Sequence, residues 1–432
     1  MKKGRIISVP KWSARWRTTV LPLLLAAMLA VSACSGANHS SSDKAAGNGE
    51  AGSSAPSLGE SGDRALAERE PSRTSSNEGK RSYNTTGVEV QAGQLTAGEW
   101  DDLAAWERFG NLLNTHEGDS SMKAWSIHPF HRLEVIVSSN GRAVEDAEVQ
   151  LVDNGQTVWT ARTNGDGKAY LFAALFDNGA RAQETAYEVK VHYNNESKTI
   201  SQIDMKGQGA LKIDLKNGKE RSDNVDIMFV VDTTGSMEDE LNYLGAELKD
   251  VVARVAKEHA NGLNIRLSAN FYRDKHDEYV VRPFPFTTKV DDVIGQITAQ
   301  EARGGGDYPE AVDQALRNAI HEHKWSSDAR ARLLFLVLDA PPHSDPQIID
   351  EMHRLIGDAA SEGIRIIPVA SSGVNVDTEY LLRFMAAATG GTYLFLTDDS
   401  GIGNSHLEPA VGEYEVKLLN DLLVEVINRY VD

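Results

Sequence analysis

The chain has 432 residues, 41% of them hydrophobic, enough for two or three packed domains. Its formal net charge of −19 argues against nucleic acid as a principal partner. A single cysteine excludes an intramolecular disulfide.

Residues 1–17 are basic and carry no acid, and residues 20–31 are apolar over a length that suits a signal-peptide core and is short for a membrane helix. Ser32, Ala33 and Cys34 follow. The run Val31-Ser32-Ala33-Cys34 resembles the lipobox of bacterial lipoproteins. The resemblance implies removal of residues 1–33 as a signal peptide and lipidation of Cys34. It also implies a membrane-anchored, extracytoplasmic protein of a bacterial envelope. An ordinary secretory signal with an incidental cysteine is the alternative. Residues 34–88 are rich in Ser, Gly and charge and nearly free of aromatics. Such a stretch buries too little apolar surface to offset the entropy of ordering, so a flexible tether is expected.

Residues 89–129 read as a helical segment. Thr96 and Glu99 have the spacing of a capping box, and Leu95 with Trp100 suits a hydrophobic staple. Leu103, Trp106 and Leu113 continue as an apolar helical stripe. The tryptophans are expected in packing.

From 130 to 217 the period changes to two: Leu133, Val135 and Val137 alternate, as do Val149 and Leu151. Asn-Gly pairs at 140–141, 154–155, 164–165 and 178–179 suit the primed turns of hairpins. A small antiparallel β-sandwich is expected. The stretches "GRAVEDAEVQL" and "ARTNGDGKAYLF" are similar to carboxypeptidase-regulatory-like and bacterial immunoglobulin-like modules. "NGDG" offers too few oxygens for calcium by itself and reads as a turn.

From 222 to 432 apolar strand-like runs alternate with amphipathic helical ones: "DIMFVVD", "IRLSANFYRD", "RLLFLVLD", "IRIIPVA" and "TYLFLTD" are the strands. The pattern predicts an α/β fold, a doubly wound parallel sheet covered on both faces. Ligands of such sheets bind beyond the carboxyl ends of the strands. Asp232 and Asp339 stand at two of those ends. Asp232, Thr234 and Ser236 alternate in one loop, so a carboxylate and two hydroxyls can converge. "ARGGGDYPEA" supplies Asp307 in a second loop. Oxygen donors without His or Cys favour Mg²⁺, Mn²⁺ or Ca²⁺ over zinc.

"DTTGSM" resembles the D-x-[ST]-x-S loop of von Willebrand factor A domains, and the likeness covers about half the chain. It implies a metal-ion-dependent adhesion site in which Asp232, Thr234, Ser236 and Asp339 hold a divalent cation, Mg²⁺ first. An open position on the ion would then take an acidic group of a protein partner. The second loop departs from the commoner threonine-bearing form, and there Asp307 would stand for the threonine. The implied function is a lipid-anchored binding or adhesion protein and not an enzyme. A non-adhesive envelope regulator or assembly factor, or a metal-dependent hydrolase, is the alternative, and an A domain with a vacant site is a further one.

Other strand-end chemistries fit less well. A haloacid-dehalogenase phosphatase needs a second Asp where Thr234 stands. A dinucleotide fold needs G-x-G-x-x-G after the first strand. Ser236, His343 and an Asp lack the G-x-S-x-G elbow of a hydrolase. His321 and His323, two apart on a helix, do not share a face. His276 reads as a surface or core residue, and His343 as a neighbour of the metal loop.

Overall fold

The computed structural model describes residues 90–177, 186–205, 209–260 and 262–432. The signal sequence, Cys34, the tether and the Asn178-Gly179 turn lie outside the described residues.

The first element corrects the helical reading of residues 89–129. Thr96–Trp100 is a strand, β1, and the supposed capping-box residues sit within it. Helices begin only at α1 (Trp106–Leu113) and α2 (His116–Trp125). The capping signal loses because β1 finds a partner almost three hundred residues away. It pairs antiparallel with β15 (Tyr393–Leu396), Gly98 opposite Phe395. A Cβ on Gly98 would lie 2.5 Å from the Phe395 ring, so a side chain there would break the pairing. Ahead of β1, the buried carboxylate of Glu247 accepts the backbone N–H groups of Gly93, Gln94 and Leu95 at 2.8, 2.8 and 3.0 Å.

The next region carries β2 (Arg132–Ser139), β3 (Arg142–Ala143), β4 (Glu148–Asp153), β5 (Gln156–Arg162), β6 (Lys168–Phe172), β7 (Tyr187–Tyr193), β8 (Glu196–Ile203) and β9 (Leu211–Leu215). They form two four-stranded sheets, one of β3-β2-β6 with β9 also on β2, the other of β5-β4-β7-β8. Leu133, Val135 and Val137, and Val149 and Leu151, are buried as the period of two predicts. The β2–β9 pairing is parallel, so the region is not wholly antiparallel. Asn140 and Gly141 both have positive φ, as a primed hairpin turn requires. In the "NGDG" loop, the Asn164 side chain accepts from the N–H groups of Asp166 and Lys168, which makes it a turn.

The large sheet follows: β10 (Asn224–Asp232), α3 (Leu241–Glu258), β11 (Asn264–Tyr272), β12 (Val281–Arg282), α4 (Val290–Thr298), α5 (Val312–Arg317), β13 (Ala331–Leu338), α6 (Pro346–Glu362), β14 (Ile364–Ala370), α7 (Val376–Thr389), β15, β16 (Lys417–Leu418) and α8 (Leu419–Val431). The strand order is β12-β11-β10-β13-β14-β15-β1-β16. The central strands β11, β10, β13, β14 and β15 are parallel, while β12 and β1 are antiparallel to their neighbours. The α/β reading therefore holds, with a mixed sheet in place of a purely parallel one.

Alternate strand residues face opposite layers. Ile227, Phe229, Leu333 and Phe335 share one core with Leu248, Val252 and Leu423 of α3 and α8. Met228, Val230, Leu334 and Leu336 share the other with Leu355 of α6 and Phe384 of α7. That second core is continuous with Val135, Leu151 and Val191 of the two small sheets. The residues between β1 and β10 thus form an insertion into the large sheet, packed on one of its faces. Arg332 on β13 binds Asp146 at 2.8 Å across this seam, and the Trp125 indole donates to the Asp377 carbonyl at 2.7 Å.

Candidate functional site

The chain runs from β10 outward to β11 on one side and then returns to β13 on the other. This reversal opens a crevice at the carboxyl ends of β10 and β13, the usual ligand position in such sheets. Asp232 is the last residue of β10 and Asp339 follows the last residue of β13. Both are buried.

The first loop is tied to its own carboxylate. Asp232 Oδ1 accepts from the Thr234 N–H at 2.8 Å and from its hydroxyl at 2.7 Å. The hydroxyls of Thr234 and Ser236 lie 3.1 Å apart. Thr234 is buried, whereas Ser236 stands exposed at the mouth. The second loop is laced to the first: the Gly235 N–H donates to the Gly304 carbonyl at 3.1 Å, and the Arg303 N–H to the Thr233 carbonyl at 3.0 Å. The Gly305 N–H donates to Asp277 at 2.8 Å. The loop after β14 closes over the rim, where the Tyr308 hydroxyl donates to the Gly373 carbonyl at 2.9 Å.

The second loop carries two acids, Asp307 and Glu310. Asp307 is exposed on the lip. The carboxylate this loop turns inward is Glu310, buried, with its N–H held by the Pro341 carbonyl at 2.9 Å. Gly305, at φ 73°, leaves room for it: a Cβ there would lie 2.9 Å from Glu310 Oε1 and 3.4 Å from Thr234 Cβ. Glu310 was legible only as part of a helix start, and the helix begins two residues later, at Val312.

One oxygen on each inward acid lacks a hydrogen-bond partner among the described residues: Asp232 Oδ2, Asp339 Oδ1 and Glu310 Oε2. Burial, and then the charge of Asp339, raises Asp232 to about 7, against the opposing hydrogen bonds from Thr234. Burial raises Asp339 to about 6, with Glu240 and Asp239 adding to the effect and the Ser236 hydroxyl opposing it. Burial raises Glu310 to about 9, reinforced by Asp232, Asp274 and Asp339. Orphaned buried carboxylate oxygens beside hydroxyls are a donor set for a hard cation. Among the described residues, no three His, Cys, Asp or Glu side chains are drawn together as a ready metal cage. The donors here are carboxylates spaced by hydroxyls.

Four histidines, His343, His321, His323 and His406, have partners. His343 pairs with Asp274 at 2.9 Å, and His321 with Asp358 at 3.0 Å. His323 lies 3.0 Å from the Asn270 amide and is held below its ordinary value by burial. His406 joins Glu240 and Asp398 at 2.9 and 2.8 Å, and the Ser372 N–H donates to the same Glu240.

Residues 226–398 match the von Willebrand factor A domain family. That span holds β13, all but the first two residues of β10, and the loops that carry Asp232, Glu310 and Asp339. The von Willebrand factor A domain is a protein-interaction or adhesion-type module. Over 216 residues the chain is 28% identical to an ariadne-like RING finger protein of Acanthamoeba polyphaga mimivirus, a match covering 46% of this chain and 20% of the viral protein. Among solved structures it is similar to proximal thread matrix protein 1 from the mussel byssus, at 18% identity and a TM-score of 0.29, over 38% of this chain and 40% of that one. The chain thus spans well under two thirds of either relative.

Proposed function

We propose that the von Willebrand factor A region binds a divalent cation at the ends of β10 and β13 and recruits a protein partner through it. The observation that carries this is the pair of buried oxygens Asp232 Oδ2 and Asp339 Oδ1, without hydrogen-bond partners among the described residues and adjoining the Thr234–Ser236 hydroxyl pair. Asp232 and Asp339 would supply the charge, and Thr234 and Ser236 neutral oxygens. Mg²⁺ suits the set, with Mn²⁺ or Ca²⁺ as substitutes. When bound, the ion would act as a Lewis acid toward an acidic group of the partner. Asp307 stays on the exposed lip, where it would face the partner rather than the ion.

With the lipobox-like Val31–Cys34, this makes the protein a lipid-anchored, extracytoplasmic binding module, and not an enzyme. The insertion, packed against the sheet, would act as a spacer or second contact surface. A role in envelope regulation or assembly would use the same surface. The test is capture of a protein from cell-envelope extract by the immobilised chain in Mg²⁺ and in EDTA. Capture in Mg²⁺ that is lost in EDTA and in Asp232→Ala is the expected result. Equal capture in EDTA would refute it.

A further inference from the structure

We infer that the base of the large sheet holds a single halide ion, chloride, in a small pocket lined by Arg330, Arg332 and Arg365. The pocket lies at the strand ends opposite the Asp232 crevice, and the inference stands apart from the cation reading above.

Arg332 is the second residue of β13 and Arg365 the second of β14, so two paired parallel strands bring both residues to one end of the sheet. Arg330 just precedes β13. With Asp146, Asn164 and Gly363 they line a cavity of about 10 Å³. That is the scale of one water-sized occupant and too small for phosphate or sulfate. Asp146 and Asn164 belong to the insertion and the arginines to the large sheet, so the cavity sits in the seam between them. Gly363, at φ 70°, lets the chain come close: a Cβ there would lie 3.2 Å from Arg332 Nη1. Asn164 Oδ1 already accepts from the N–H groups of Asp166 and Lys168. What Asn164 can offer an occupant is therefore its NH₂ group, a donor.

The charge balance decides what the pocket can hold. Arg332 pairs with Asp146 at 2.8 Å, and Arg330 reaches Asp223 at 3.6 Å. Arg162, nearby, leans on the same Asp146 at 3.5 Å and on Glu148 at 3.9 Å. No carboxylate pairs with Arg365 among the described residues. Its Nη1 donates to the Thr389 carbonyl at 2.9 Å and its Nη2 to the Arg162 carbonyl at 2.7 Å. The side chain is buried, 7% exposed. Burial lowers Arg365 from its ordinary value, against the opposing effect of Tyr430 and Asp146, and Arg332 adds to the lowering. A guanidinium nevertheless keeps its proton inside a protein, so the charge stays. A buried charge without a counter-charge is costly. One monovalent anion cancels the excess, and guanidinium and amide groups give it donors on several sides. A water would fill the same space and leave the charge standing.

The test compares sodium chloride with sodium gluconate at constant ionic strength, using the full chain and its Arg365→Met and Arg365→Lys variants. Two quantities are read: the Tm, and the chlorine NMR linewidth, which broadens when chloride exchanges with a protein site. Chloride should raise the wild-type Tm saturably, by about 2 °C or more, because it binds only the folded pocket. The wild type should also broaden the chlorine line. Arg365→Met should lose both effects. Arg365→Lys keeps the charge without the planar fork and should weaken chloride by about tenfold, and it serves if the methionine variant does not fold. Absence of either effect in the wild type would leave a water in the pocket and overturn the inference. Broadening that persists undiminished in either variant would place the halide elsewhere and overturn it too.

Discussion

The guanidinium of Arg383 clasps the carboxylate of Asp102 with two hydrogen bonds, at 2.7 and 2.8 Å, joining α7 of the large sheet to the start of the insertion. Arg383 also binds Glu379 at 2.9 Å, and all three side chains are buried. The pairing raises Arg383 above its ordinary value in spite of burial, which pulls the other way. Removing one member leaves the others charged and unpaired in the interior. Arg383→Met should therefore cost about 3–5 kcal/mol of stability, read as a lower midpoint in urea denaturation. A loss under about 1 kcal/mol would place this cluster among pairs that contribute little.

Asp232→Ala tests the ion site through stability. A cation that binds only the folded protein adds about 2.7 kcal/mol at a hundredfold excess over its Kd. Millimolar Mg²⁺ or Mn²⁺ should raise the wild-type Tm and leave the variant unmoved. In EDTA the variant should melt at or above the wild type, because a buried acid facing Asp339 has gone. Asp232 ends β10 and has no exposed surface. Its full burial strengthens this part of the expectation. Equal metal-induced shifts in both proteins would refute the site.

The same acids set a pH dependence. Asp232, Asp339 and Glu310 are raised in the folded protein to about 7, 6 and 9, from ordinary values of 3.8, 3.8 and 4.5. Each therefore favours the folded state most when protonated. That contribution is whole below the ordinary values and is lost as pH rises through the raised ones. In EDTA the Tm should fall from pH 5 to pH 9 more steeply for the wild type than for a double Asp232→Asn, Glu310→Gln variant. Saturating Mg²⁺ should flatten the wild-type profile, since the ion replaces the protons. Parallel profiles in EDTA would show that these acids do not govern the slope.

Glu247 anchors the entry to β1. Substituting Ala leaves the N–H groups of Gly93, Gln94 and Leu95 without their acceptor. Hydrogen bonds to a charged group contribute about 1.5–3 kcal/mol each, though not additively, so a loss of about 3 kcal/mol is expected. The loss should be local first. Amide exchange in Thr96–Trp100 should speed up more than in the central strand Ile364–Ala370. Uniform acceleration would show that β1 does not open ahead of the rest.

Cys34→Ser tests the anchor expected from Val31–Cys34. The variant should be unlipidated, and either released from the membrane or left unprocessed. Membrane retention equal to wild type would refute lipidation at this residue.

The local grammar of the chain determined much by itself. Continuous apolar runs of strand length, separated by amphipathic helices, can be buried only as strands covered on both faces, so the α/β sheet was legible. The D-x-T-x-S loop was legible for a similar reason. Its oxygens act within one turn after a strand, and spacing alone brings Thr234 to Asp232. Tertiary structure decided what depends on distant partners. Thr96–Trp100 has the marks of a helix start, yet it is a strand because the free edge of β15, far along the chain, offers it a ladder. Asp307 and Glu310 flank the same proline and look equally able to serve the second loop. The hydrogen bond from Glu310 to Pro341 turns one inward and leaves the other on the surface, and no local rule encodes that contact. Asp102 and Arg383 carry no signal of each other for the same reason: a buried ion pair between remote segments exists only once both have been packed together.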